Sequence, residues 1–212
     1  MSNTLTQVSQ EEKFVDDFIG NLSKDSTMNH ADLHQVRVTA FCEECSKHNE
    51  NQVVNHKVTV DGITAQHALL RAALQLEECL EMIRGLGISV KVHPDFVGEN
   101  LSVAKANEAF EFFADGQFNL KEIIDGAIDS SVIANGTASM FGVPLRPFTQ
   151  EVDHNNIAKF KEGHYFREDG KLIKPANHPA PDMDSVLKSI CGVDFSAFTF
   201  DWSTKRLQEI SE

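Results

Sequence analysis

Apolar residues along this chain recur mostly at three- and four-residue spacing, the period of an α-helix, and alternate at two in only a few short runs. From Gln10 to Leu22 the residues Phe14, Val15, Phe18, Ile19 and Leu22 mark a first helix, with Ser9 as its cap. A second is expected over Ala31–Lys47 behind an Asn29 cap, although Val36, Val38 and Thr39 form a β-branched run that lowers helix propensity. Asn49–Asp61 reads as a connection, with VVNHKVTV as a short extended piece. Leu69–Arg84 is a strong helix, apolar nearly all round, which predicts burial; Gly85 and Gly87 close it. Ile88–Asn100 is irregular around a β-like ISVKV, and Val103–Phe113 reads as a helix followed by an Asp115-Gly116 turn. Asn119 caps a long apolar helix that runs to Phe141 and stops at Gly142. Helices over Thr149–Phe160 and Asp184–Ile190 flank a turn-rich tail. Helix signals dominate, so the expected class is all-α, a helical bundle.

The 69–84 helix carries Glu77, Glu78 and Glu81 in the middle of its apolar body. At about 100° per residue these three fall within roughly a 100° arc. Glu77 and Glu81 are a like-charge i,i+4 pair, which by itself destabilises a helix, and Arg84 is the nearby cation in sequence. Half-buried carboxylates neutralise by binding protons unless a cation holds them ionised. In the 119–141 helix, Glu122, Asp125 and Asp129 lie at i, i+3 and i+7, within roughly 60° of one another. Ile128, Val132 and Ile133 predict that the turn bearing Asp129 is buried. Two such helices would pack with their acidic stripes facing. The all-oxygen donor set suits Mg²⁺, with Mn²⁺ as an alternative, better than zinc, since no His or Cys belongs to either stripe. The plain alternative is a solvated acidic face.

Composition narrows the function classes. A net charge of −13 over 212 residues argues against binding a nucleic-acid backbone or an anionic membrane surface. The polar, acidic start has no signal-peptide core, and Cys42, Cys45, Cys79 and Cys191 are expected to be thiols in a reducing, cytoplasmic setting.

The acids also stand in a recognisable order. Glu77-Glu78-Cys79-Leu80-Glu81 followed by Glu122-Ile123-Ile124-Asp125 resembles the EExxE…ExxD signature of the all-α, MazG-like nucleoside triphosphate pyrophosphohydrolases. The likeness extends through Gly136-Thr137-Ala138. It continues in the EVDHNNIAKF segment at 151–160, like EVDxNNxxKF, and in REDGKLIKP at 167–175, like REDGKxxKP. It covers roughly residues 65–183, and suggests an N-terminal extension at 1–62, a pyrophosphohydrolase domain at 63–183 and a C-terminal tail at 184–212. Two departures stand out: the 82–121 connection is long, and Gly126 occupies a position where many relatives carry an acid.

The resemblance implies metal-dependent hydrolysis of a nucleoside triphosphate, NTP or dNTP, to the monophosphate and pyrophosphate. It implies metal ligands drawn from Glu78, Glu81, Glu122, Asp125 and Asp129, with Glu77 and Glu78 as the catalytic pair and Glu77 as proton acceptor. Asn156, Lys159, Arg167, Lys171 and Lys174 would meet the phosphates, and the protein would be a homodimer or homotetramer. Two other readings stay open. One is a non-catalytic nucleotide- or metal-binding helical protein. The other is an adaptor with a zinc site drawn from Cys42, Cys45, His48, His30 and His34, for which a second CxxC is missing. His154 reads as a helix-surface or core histidine, and Trp202 with FSAFTFDW as a core or dimer seal.

Overall fold

The computed structural model describes residues 12–13, 16–97, 106–168 and 170–192. Ser9, Gln10, Phe14, Val15, Val103, Ala104 and the 195–202 segment with Trp202 lie outside them. The chain divides into two compact units, Ala68–Ala134 and Met1–His67 with Asn135–Glu212. The described residues are mostly helical, with two small two-stranded antiparallel sheets, so the all-α expectation holds in its coarse form. No helix among them is long and apolar enough to cross a membrane.

In the second of these units, residues 16–21 are helical, and Ser26 then caps a 3₁₀ turn, Thr27–His30. Asn29 falls inside that turn and donates to the Ser23 carbonyl at 3.1 Å, so it is not the cap. Helix α1, Leu33–Ser46, starts instead behind Asp32, whose carboxylate accepts from the Gln35 amide at 2.8 Å. Its β-branched run is buried, and packing overrides the weaker propensity. Thr39 Oγ1 shares a 2.6 Å hydrogen bond with Ser139 Oγ. Gln35 is also buried: its Nε2 donates to the Val143 carbonyl at 2.8 Å, and its Oε1 accepts from the Leu145 amide at 2.7 Å.

That amide is an otherwise orphan donor at the start of helix α4, Leu145–Ala158. The helix therefore begins four residues before the expected Thr149, and Pro147 sits in its first turn, where a missing N–H is harmless. The 49–61 connection contains no strand. Its donors serve the last carbonyls of helix α3, Leu120–Met140, and the residue beyond: Asn55 N to Ser139 O (3.0 Å), Asn55 Nδ2 to Met140 O (2.7 Å) and Thr59 N to Phe141 O (3.1 Å). The short sheet pairs β3, Tyr165–Phe166, with β4, Leu172–Ile173, and helix α5, Met183–Cys191, follows behind an Asp182 cap.

The Ala68–Ala134 unit holds most of helix α2, Ala65–Gly85, and the start of α3. Asn119 caps α3 as expected, its side chain accepting from Lys121 N at 3.2 Å and Glu122 N at 3.4 Å. Where a helix is expected over Val103–Phe113, the described residues form a helical turn, Ala106–Ala109, and then strand β2, Phe110–Ala114. That strand pairs antiparallel with β1, Ile88–Val92, in the register Ile88↔Ala114, Val90↔Phe112 and Val92↔Phe110. Aromatic and β-branched cross-strand pairs favour this pairing over a local helix. The expected burial of α2 fails as well: Leu69, Leu76 and Leu80 are 62%, 58% and 43% exposed.

Candidate functional site

Helices α2 and α3 run antiparallel, and glycines let them touch. A Cβ at Gly126 would lie 2.7 Å from the Met82 backbone nitrogen, and one at Gly85 would lie 2.7 Å from that of Ile123. Cys79 Sγ stands 4.0 Å from Ser130 Oγ, so numbers rise along one helix as they fall along the other. Gly126, the departure from the acidic pattern, thus has a physical reason. Any side chain there would meet the opposite backbone rather than a flexible tip.

The acidic stripes meet along this seam. Glu78 is half-buried, and its carboxyl is pushed above the ordinary carboxylate range by burial first, then by the charges of Asp129, Glu81, Glu77 and Asp125. Every group acting on it raises its pKa; none is a cation. Asp129 is half-buried, while Glu77 and Asp125 are exposed. The expected burial around Asp129 is corrected: Ile128 is 56% exposed, and Val132 and Ile133 are half-buried. Asp129 owes its setting to the seam, not to an apolar shell. Arg84 was legible as a neighbour of Glu81, at 3.8 Å, but its closer partner is Glu122 on the other helix, at 3.3 Å. Glu122 is therefore the closer of the two acids that share Arg84.

Among the described residues no three His, Cys, Asp or Glu side chains are gathered closely enough to hold a metal ion as they stand. The donor chemistry nonetheless fits one. Glu78 sits in the field of four other carboxylates, and these are the oxygen donors that hard divalent cations select.

The residues expected on the phosphate side belong to the other unit. Lys159, at the C-cap of α4, donates to Asn156 Oδ1 at 2.6 Å, so these two are brought together. Arg167 and Lys171 face each other across the β3–β4 turn, where Arg167 N donates to Lys171 O at 2.9 Å. Lys174 follows β4, and all three cations are exposed. Asn155 and His178, buried beside this set, were missed because neither belongs to a charge pattern. His154 is an exposed helix residue. Of the zinc candidates, Cys42 is buried, Cys45 half-buried, His30 and His34 exposed, and His48 lies 3.5 Å from Glu44. All four cysteines are thiols.

The class defined by these features is a mostly helical protein with a carboxylate-lined seam between two antiparallel helices. The chain matches no protein-family model, and no curated protein matches it.

Proposed function

We propose that this protein is a cytoplasmic, Mg²⁺-dependent nucleoside triphosphate pyrophosphohydrolase, with Mn²⁺ as an alternative ion, and that it works as a homodimer or homotetramer. The observation that carries the reading is Glu78: a half-buried carboxylate in the field of four others, in a seam built from both acidic motifs. The four ordered sequence segments support it independently.

Glu78, Glu81, Asp125 and Asp129 would hold the ion, while Glu122, the closer of the two acids paired with Arg84, is the weakest candidate. When bound, the ion supplies positive charge against the triphosphate and makes a water easier to deprotonate. Glu77, exposed at the edge of the stripe, accepts the proton of the attacking water. The water oxygen bonds to phosphorus, the α–β anhydride bond breaks, and its electron pair leaves with pyrophosphate. Asn156, Lys159, Arg167, Lys171 and Lys174 are assigned to phosphate oxygens, donating hydrogen bonds that all carry charge assistance from the anion.

Exposed apolar residues favour self-association. Leu69, Leu76 and Leu80 form one exposed apolar stripe of α2, and Leu120, Ile124 and Ile128 form one of α3, and such stripes are surfaces that a second copy of the chain would cover. Sedimentation of the full chain should give a mass of two or four chains.

The deciding experiment incubates the protein with each NTP and dNTP in MgCl₂ and identifies the products. Nucleoside monophosphate and pyrophosphate in equal amounts are expected. Release of single phosphate, or no product from any nucleotide, would sink the proposal.

A further inference from the structure

The lysine-bearing segment from 170 to 175 leads into a stretch, Pro175–Asp182, that is fastened to α4 by two points of contact. Glu151 and Asn155, i and i+4 on that helix, make them. Glu151 Oε1 accepts from the Asp182 amide at 2.9 Å. Asn155 Nδ2 donates to the Pro179 carbonyl at 3.2 Å, and Asn155 Oδ1 lies 3.2 Å from His178 Nε2. The Pro179 carbonyl can only accept, so the amide orientation of Asn155 is fixed, and Nε2 of His178 must be the donor. Asn155 and His178 are each only 9% exposed, so these bonds are made away from bulk water. The same segment is closed on itself by His178 N donating to Pro175 O at 2.9 Å.

We infer that Asn155 and His178 are positioning residues: they hold the lysine-bearing tail against α4, so that Lys171 and Lys174 are presented in fixed register with Asn156 and Lys159. The inference rests on the pyrophosphohydrolase reading and deepens it, because it names which residues order the phosphate-binding set. Neither residue touches the phosphates. The sequence places Asn155 directly before Asn156, and the helix turns it about 100° away from its neighbour, toward the tail. Without the pair, exposed lysines on a two-residue-strand hairpin would have to be ordered by the ligand itself, and that ordering reduces affinity.

The test compares Asn155→Ala, His178→Phe and His178→Gln in the full chain. Gln keeps a donor near the position of Nε2; Phe keeps the volume and removes the donor. Two quantities are read: steady-state kinetics on the nucleotide that is turned over fastest, and calorimetric affinity for inorganic tripolyphosphate with Mg²⁺. Losing one or two buried hydrogen bonds from a pre-ordered site should raise KM and the tripolyphosphate Kd about tenfold in Asn155→Ala and His178→Phe, with kcat changed less than about threefold. His178→Gln should stay within about threefold of the parent on both. Adding Lys171→Ala to Asn155→Ala should cost less affinity than Lys171→Ala alone costs the parent, because the lysine is already released. A folded Asn155→Ala with unchanged KM and Kd overturns the inference while leaving the hydrolase reading intact. So does a fall in kcat that merely tracks a smaller folded fraction, read from the melting curve. If His178→Phe does not fold, the Asn155→Ala and His178→Gln pair still decides. A parent chain that neither binds tripolyphosphate nor hydrolyses any nucleotide overturns both readings together.

Discussion

Gly126→Ala is the substitution for which the seam makes a prediction opposite to local propensity. In an ordinary helix interior, Ala is more stable than Gly by about 1 kcal/mol. At this position the new Cβ would lie 2.7 Å from Met82 N and 3.0 Å from Met82 Cα, where ordinary contact begins at 3.4 Å. The opposing atoms are backbone, so α2 and α3 must separate by about 0.7 Å, the difference between 3.4 and 2.7 Å. Forcing a methyl into a packed contact typically costs about 1–3 kcal/mol, and a separated seam also loses dispersion contacts along its length. The net expectation is a loss of about 1–2 kcal/mol, despite the better helix former. Urea unfolding of the metal-free protein measures it. Ala127→Gly, at the exposed neighbouring position, is the control: it should lose about 1 kcal/mol from propensity alone. The two variants should separate again in Mg²⁺ titrations. Only Gly126→Ala moves the carboxylates of α3 away from Glu78, so only it should shift the midpoint upward. A Gly126→Ala protein as stable as the parent, with an unmoved Mg²⁺ midpoint, would show that the close approach is not a requirement of this chain.

Three further expectations follow from the same geometry. The raised Glu78 carboxyl means that, as pH rises from about 4, the unfolded chain gives up this proton before the native chain does, so the native state binds more protons and metal-free stability falls across that window. Melting temperatures in EDTA from pH 4 to 7 should show the fall, and Glu78→Gln should flatten it; an unchanged slope would remove Glu78 as its source. Asp129→Asn should weaken the Mg²⁺ dependence of turnover about tenfold or more and Asp125→Asn less, because Asp129 is half-buried and exerts the stronger charge effect on Glu78; the reverse order would place the ion one turn nearer the start of α3. Lys159→Ala should weaken nucleotide affinity about tenfold while leaving Mg²⁺ affinity unchanged, since an ammonium meets phosphate and not a cation; calorimetry of each ligand separates the two.

Much of the helical framework was legible because helix ends carry local chemistry. Asn119 caps α3 in the structure as its sequence position suggests, and Asp184–Ile190 lies within α5. The misreadings share a cause, which is that the deciding partner is distant in sequence. Nothing near Leu145 announces a helix start, because the group that satisfies its amide is Gln35. The strand FEFFA looks helical beside Ala106 and Ala109 until ISVKV, about twenty residues earlier, supplies its ladder. The 49–61 segment is apolar enough for a strand, yet its donors are taken by the end of α3, so it runs irregularly.

The site was legible as a set of acids, but not as an arrangement, and the reason lies in what periodicity measures. Spacing fixes angles about a helix's own axis, whereas the direction of the neighbouring helix must come from elsewhere. Apolar residues usually give that direction. In α2 they run nearly all round, so they gave none, and the exposed Leu69, Leu76 and Leu80 show that the most apolar stripe faces away from α3. The glycines supply the missing phase. Measured from Gly85 at about 100° per residue, Glu78 lies about 20° away, Glu81 about 40° and Glu77 about 80°. Measured from Gly126, Glu122 lies about 40° away, Asp129 about 60° and Asp125 about 100°. On each helix the acid farthest from its glycine, Glu77 and Asp125, is the exposed one, and the nearer acids are half-buried. Closeness to the crossing point therefore sorts the carboxylates by environment. It puts Glu78 and Asp129 in the field that raises the Glu78 carboxyl, leaves Glu77 open to solvent, and lets Arg84 reach across to Glu122. A glycine within an apolar helix marks where another backbone approaches, and acids within about one turn of it are the ones whose ionisation the fold must answer for.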